Sequence, residues 1–205
     1  VYAITDRHWT GEKTLEQQVD EVLKNGATFL QIREKNMPHD KLVKEAVLIK
    51  DIAKKYNVPV VIDDDIYAVI ESGVDGVHIG QKDMDYIEAR KLLGDDKIIG
   101  MTAPSVELAK KAEKLGADYI GAGAVFNTST KKDTRPLELS TLKEICSSIS
   151  IPVVAIGGID HSNVRKLKGT DIDGVAVISA LFGADDPGEA TRDRKSTRLN
   201  SSHSA

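Results

Sequence analysis

The stretch SGVDGVHI, residues 72–79, reads as the end of an amphipathic segment, a glycine, a tight turn and a short strand-like run. The same order recurs at NGATFLQI, residues 25–32, and at LGADYIGA, residues 115–122. Glycine directly after a helically periodic segment is the residue expected at a left-handed C-terminal cap, and Gly26, Gly73, Gly94 and Gly116 all stand at such places. Working outward from these junctions, strand-like runs fall at 1–5, 28–33, 58–63, 75–80, 97–101, 118–123, 151–157 and 173–178. The third and seventh open alike, with VPVV and IPVV. Between the runs apolar residues keep helical spacing, as in Leu15, Val19, Val22 and Leu23, or Leu42, Val43, Ala46, Ile49 and Ala53. Repeated β-then-α units over a chain of this length predict an α/β protein, a closed (β/α)8 TIM barrel in a single domain; an open doubly wound sheet is the alternative.

The barrel is assigned residues 1–192. Residues 193–205, DRKSTRLNSSHSA, are polar, serine-rich and basic, with no helical or strand period. They read as a tail outside the fold, into which the eighth helix is lost, so the last helix is expected to be truncated.

Composition narrows the function. Forty per cent of the 205 residues are hydrophobic, enough for a sizeable core. A net charge of −4 and an aromatic share of 4% argue against a nucleic-acid-binding surface and a base-stacking platform. No apolar run approaches the roughly 20 residues of a membrane span. The opening VYAITDRHW has no basic flank and is not read as a signal peptide. One cysteine, Cys146, allows no internal disulfide, and a reducing, cytoplasmic setting is expected. Cys146 falls beside Leu142 and Ile145 and is read as packing. His78, inside the fourth strand, is read as a satisfied core histidine. His8 and Trp9, just after the first strand, border the expected pocket or the surface. No CxxC, HExxH, GxSxG or Walker-type pattern occurs.

A barrel places chemistry at the C-terminal ends of its strands. There the chain collects polar and charged groups. The second strand ends in QIREK, with Gln31, Arg33 and Lys35; the third ends in Asp63, Asp64 and Asp65; GQKD with Asp83 follows the fourth. The fifth ends in Met101 and Thr102, and the sixth runs into NTSTKKDTR, with Thr128, Thr130, Lys131, Lys132 and Arg135. Three adjacent carboxylates at the end of a buried strand need something opposite them. Asp64 and Asp83 suit a hard divalent cation such as Mg²⁺, which favours one or two carboxylates plus substrate phosphates. Arg33, Lys35 and Lys131 would then hold those phosphates. Capping of the next helix is the plainer role, and Asp65 is assigned it. Gly157-Gly158 after the seventh strand and Ile178-Ser179 after the eighth suit a phosphate held by backbone N–H groups; tight turns are the alternative. The long loop from about Asn127 to Glu138 suits a lid over anions.

QIREK, VIDDD, GVHIGQKD, TSTKKDT, VAIGGI and VISAL follow one another in an order and spacing that resembles the thiamine-phosphate synthase family, over about residues 1–190. The resemblance implies transfer of a hydroxymethylpyrimidine group from its diphosphate onto a thiazole phosphate, with Mg²⁺ as cofactor. It implies small-molecule substrates, neither nucleic acid nor membrane as partner, and leaves a homo-oligomer open. By motif, Gln31, Arg33 and Lys35 would bind the pyrimidine diphosphate, and Asp64 and Asp83 the Mg²⁺. Thr102 stands where the family often has serine. Thr128 and Thr130 would touch the thiazole phosphate, Lys131 the diphosphate, and Gly158, Ile178 and Ser179 would complete the thiazole phosphate pocket. Arg33, Lys35 and Lys131 would be the catalytic groups. Asp63, also at a substrate-binding position, stands where the family usually has asparagine; lacking the amide donor, it must be protonated, find a cation or bind differently. Ala124 and Asn127 stand where prolines are common. The related readings are a thiazole tautomerase, which needs neither the bases nor the acid pair, and a non-catalytic phosphate-binding barrel.

Overall fold

The computed structural model describes residues 1–128, 135–160 and 162–178. The strand-like runs become eight short parallel strands, β1 (Tyr2–Ile4), β2 (Phe29–Ile32), β3 (Val60–Asp63), β4 (Gly76–Ile79), β5 (Ile98–Thr102), β6 (Tyr119–Gly123), β7 (Val153–Ile156) and β8 (Gly174–Val177). Each pairs with the next, and β8 returns to β1 through Tyr2 opposite Ala176, which closes the barrel. The helices are α1 (Leu15–Lys24), α2 (His39–Lys54), α3 (Ile66–Ser72), α4 (Tyr86–Leu93), α5 (Val106–Leu115) and α6 (Leu139–Ser148). Their buried faces follow the predicted spacing: Leu42, Ala46, Ile49 and Ala53 on α2, and Leu15, Val19, Val22 and Leu23 on α1. Gly73 and Gly116 end α3 and α5 in the left-handed conformation, while Gly94 ends α4 with positive φ but extended ψ.

One expectation needs correction. The seventh unit has a single 3-10 turn, Val164–Leu167, in place of an α-helix. Gly157, Gly158 and Gly169, all at positive φ, interrupt the connection from β7 to β8 at both ends. The eighth helix, the boundary at 192 and the 193–205 tail lie outside the described residues.

The recurring junction sequences have a common physical cause. Asp75, Asp118 and Asp173, each just before an even-numbered strand, exchange two hydrogen bonds with the preceding odd-numbered one. Their N–H groups donate to the carbonyls of Val60, Ile99 and Val153 at 2.8, 2.9 and 2.9 Å. Their Oδ2 atoms accept from the N–H groups of the same three residues at 2.7, 2.8 and 2.8 Å. At the foot of β2 Thr28 holds the equivalent place against Val1, with its N–H donating to the Val1 carbonyl at 2.9 Å. A hydrogen bond to a charged acceptor contributes about 1.5–3 kcal/mol, less where water reaches it. Asp75→Ala is therefore expected to destabilise the fold by about 1–2 kcal/mol, a fall in melting temperature of roughly 2–4 °C per kcal/mol in a chain of this size. Asp75→Asn, whose amide oxygen can still accept, should recover most of it. Thermal unfolding followed by circular dichroism reads both.

Two apolar layers flank the strands because their side chains alternate. Ala3, Val175 and Val177 face the helices within the large outer core, whereas Tyr2, Ile4 and Ala176 face the barrel axis. Inside, Tyr2 stacks on Phe29 with centroids 4.6 Å apart, and Tyr119 meets the Phe29 edge at 5.4 Å. Gly100 makes room for this cluster: a Cβ there would sit 2.0 Å from the Tyr119 ring. The aromatic cluster plugs the barrel partway up. Tyr2 and Tyr119 therefore line both a small recess at the amino ends of the strands and a larger cavity at the carboxyl ends.

Candidate active site

The larger cavity has a volume of about 660 Å³. Gln31, Arg33, Lys35, Asp63, Asp83, Thr102, Thr128, Gly158 and Ile178 all line it. Candidates from the ends of seven strands, β2 to β8, thus meet at one end of the barrel. Thr130, Lys131 and Ser179 lie outside the described residues. Asp64 does not line the cavity but adjoins it through Lys35.

The answer to the three acids begins with Lys35. Its ammonium group bridges two of them, 2.6 Å from Asp63 Oδ2 and 2.8 Å from Asp64 Oδ2, with the Arg33 guanidinium 3.9 Å from Asp63. Asp65 turns away and caps α3, accepting from the Ala68 N–H at 2.9 Å. Lys35 thus stands opposite two of the three acids. Burial pushes the Asp63 carboxyl above its ordinary range, with Lys35 opposing the shift and Asp64 adding to it. Burial alone would lower the Lys35 ammonium, but its bonds to Asp63 and Asp64 outweigh it and raise it. Asp63 has thus found a cation in place of the amide donor it lacks.

Asp64 adopts φ +67°, in the left-handed region, where its N–H donates to the His78 carbonyl at 2.9 Å. Aspartate is among the few non-glycine residues that tolerate this conformation. On the neighbouring strand end, the Asp83 carboxylate folds back to accept from the Gly80 N–H. Among the described residues no group of three or more His, Cys, Asp or Glu side chains could hold a metal. Two hard carboxylates without a third ligand fit Mg²⁺ completed by phosphate oxygens and water, and fit an all-protein cage poorly.

A chain of hydrogen bonds lies across the cavity floor. Gln31 Nε2 donates to the Tyr2 hydroxyl at 2.8 Å, and the Tyr2 and Tyr119 hydroxyls are 2.6 Å apart. Tyr119 meets His78 Nδ1 at 2.9 Å, and His78 Nε2 meets Thr102 Oγ1 at 3.0 Å. One consistent direction runs from the Gln31 amide to Thr102 and leaves His78 neutral with its proton on Nε2. Burial pushes both tyrosine hydroxyls well up, so they stay protonated. His78 is satisfied, as the sequence suggests, yet it lines the cavity. Tyr2 and Tyr119, neither singled out from sequence, join it there.

Gly157 and Gly158, read from sequence as an approach for a ligand, are required first by packing. Their φ values are +100° and +63°; a Cβ on Gly158 would lie 2.3 Å from the Asn127 carbonyl oxygen, and one on Gly157 2.5 Å from the Ala124 Cβ. The connection after β6 is thereby held against the end of β7. Asn127, Thr128 and Arg135 from that connection face the cavity. His8 is exposed and does not line it. Cys146 is half-buried on α6, and burial, then Asp173 and Asp171, push its thiol up to about 11, which suits packing and not nucleophilic attack.

The cavity is thus acidic and basic at its rim and hydroxyl-lined at its floor. A family profile described as "Thiamine monophosphate synthase" matches residues 1–181. The thiamine-phosphate synthase of Ruminiclostridium cellulolyticum is 45% identical over 186 residues, covering 91% of this chain and 89% of the relative. That of Clostridium novyi is 46% identical over 187 residues, covering 91% and 92%. Among solved structures, thiamine phosphate pyrophosphorylase from Pyrococcus furiosus superposes with a TM-score of 0.90 at 38% identity, covering 98% of this chain and 95% of that one.

Proposed function

The chain belongs to the thiamine monophosphate synthase family, and on that premise we propose that it transfers the 4-amino-2-methyl-5-hydroxymethylpyrimidine group from its diphosphate to 4-methyl-5-(2-phosphoethyl)thiazole. The products are thiamine phosphate and diphosphate, and the enzyme is a transferase of thiamine biosynthesis. The observation that carries the residue assignments is the meeting of Arg33, Lys35, Asp63 and Asp83 around one cavity, with Asp64 tied to it by Lys35.

In this reading Arg33 and Lys35 grip the diphosphate, joined by Lys131, and stabilise the charge that grows on it as it leaves. Mg²⁺ held by Asp64 and Asp83 would share that diphosphate charge as a Lewis acid. The bond from the methylene carbon to the diphosphate oxygen breaks, and its electron pair departs with the diphosphate. The aminopyrimidine ring stabilises the resulting cation, and Gln31 and Thr102, at the two ends of the floor chain, orient the ring. The thiazole nitrogen then supplies the lone pair for the new carbon–nitrogen bond. No proton has to leave that nitrogen, which is consistent with a site that offers a satisfied His78 and no activated thiol. Thr128, Thr130, Gly158, Ile178 and Ser179 would hold the thiazole phosphate.

A thiazole tautomerase would have no use for the paired acids and bases, which disfavours that reading. The decisive assay is release of inorganic diphosphate from purified protein. It should require both substrates and Mg²⁺ together; release from the pyrimidine diphosphate alone, or isomerisation of a thiazole carboxylate phosphate, would overturn the reading. A cytoplasmic site of action is part of the same proposal. It is supported by the free Cys146 and by the lack, among the described residues, of any helix long and apolar enough to cross a membrane.

A further inference from the structure

Gln31, Arg33 and Lys35 face the cavity at alternate positions, so the residues between them face away. Ile32 enters the outer core, and Glu34 turns toward Arg7, just beyond β1. Arg7 Nε lies 2.7 Å from Glu34 Oε1, and Arg7 Nη2 lies 2.7 Å from Glu45 Oε2 on α2. The two carboxylate side chains retain only 9% and 12% of their exposure, so one guanidinium balances two nearly buried acids. Burial raises both carboxyl groups, with Arg7 opposing. Two residues before Arg7, the wholly buried Thr5 accepts the Arg33 N–H on its hydroxyl at 3.0 Å, while the Thr5 N–H donates to the Gln31 carbonyl at 3.0 Å. The end of β1 therefore grips the QIREK segment at successive residues: the backbone of Arg33 through Thr5, and the side chain of Glu34 through Arg7.

We propose that Arg7 is a positioning residue for the transfer reaction: through Glu34, and braced by Glu45, it fixes the segment that aims Arg33 and Lys35 at the diphosphate. The inference rests on the reading of those two bases as diphosphate ligands. Its physical basis is leverage. Glu34 lies between the two bases in the chain, and the Arg7 guanidinium, paired with Glu34 and with Glu45 on α2, limits where its side chain can sit. Without Arg7, two nearly buried carboxylates repel, Glu34 swings out, and both bases lose their aim together.

The test measures binding of inorganic diphosphate with Mg²⁺ by calorimetry, alongside steady-state kinetics. Arg7→Met is expected to weaken diphosphate binding, and to raise KM for the pyrimidine diphosphate, by roughly ten- to a hundredfold, the scale of a misplacement near 1 Å. KM for the thiazole phosphate should stay unchanged. Arg7→Met/Glu45→Gln should recover part of the loss, because the repulsion is gone and the new amide can donate to Glu34. A folded Arg7→Met with unchanged diphosphate binding, or with both KM values raised alike, overturns the proposal. Should Arg7→Met not fold, Glu34→Gln reads the same split, and unaltered diphosphate binding there also overturns it. Lys35→Met is run in parallel. If it binds diphosphate normally, the diphosphate reading fails and the positioning role fails with it. If it binds weakly while Arg7→Met binds normally, only the positioning role fails.

Discussion

Asp64→Gly is expected to lose nearly all turnover, roughly 10²–10³-fold or more, while melting no lower than the parent protein. The two effects separate because Asp64 holds two properties in one residue. Its side chain is 37% exposed and bonded to Lys35, so its removal disturbs little packing. Its backbone sits at φ +67°, which disfavours most side chains and which glycine adopts freely. The left-handed conformation costs an ordinary residue about 1–2 kcal/mol, and glycine recovers part of that, offset by its greater freedom when unfolded. Asp64→Ala loses the same carboxylate and keeps the strain, so it should be as inactive as Asp64→Gly and less stable by about 1 kcal/mol. Strain retained at a site where a more comfortable residue exists fits a carboxylate needed for chemistry. Turnover near normal in either variant at saturating Mg²⁺ removes the metal role from Asp64.

Lys35→Met is the second large effect, expected to lower kcat by roughly 10²–10³-fold. Lys35 bridges Asp63 and Asp64 here, and it is also a base assigned to the leaving diphosphate. Both tasks fit one exchange: an arriving diphosphate draws the ammonium off the acids. Stability should change far less than activity, because Lys35 is 46% exposed and ion pairs open to solvent contribute about 0–1 kcal/mol. The Asp63 carboxyl, already raised by burial, loses a main opposing influence and should rise further. A carboxyl raised by folding contributes stability that is full below its unfolded pKa and lost as pH rises through the folded value. Lys35→Met should therefore lose more stability relative to the parent at neutral pH than at pH 4. Equal losses at the two pH values would contradict the pairing.

Much of this was legible in the chain because it is local. Strand and helix periods, the helix-end glycines and the alternation of Gln31, Arg33 and Lys35 depend on a few neighbouring residues. The repeated junctions were visible too, although not their cause, since the Asp75, Asp118 and Asp173 clasps reach back 15, 19 and 20 residues. The pairing of Lys35 with Asp63 and Asp64 depends on how β2 and β3 register, and that of Arg7 with Glu34 and Glu45 on three separate segments. Tyr119 and His78 were obscured for a different reason. Parallel strands covered on both faces are apolar on both, so Tyr119, Gly121 and Gly123 could be placed on one face but not on the inner one. The narrow clue was Gly100, the only kind of residue that leaves space for a ring on the adjacent strand. A seventh helix was expected only from the repetition of β-then-α units, and Gly157, Gly158 and Gly169 at positive φ interrupt that connection.

The central claim is that acids and bases from neighbouring strand ends grip one metal–diphosphate complex. Titration with Mn²⁺, a spectroscopically visible substitute for Mg²⁺, tests it most directly when run with and without inorganic diphosphate. The account predicts weak binding to the protein alone, where Lys35 occupies Asp64, and much tighter binding once diphosphate is present, with that gain lost in Asp64→Gly. Equal Mn²⁺ affinity with and without diphosphate, or a gain that survives in Asp64→Gly, would contradict it.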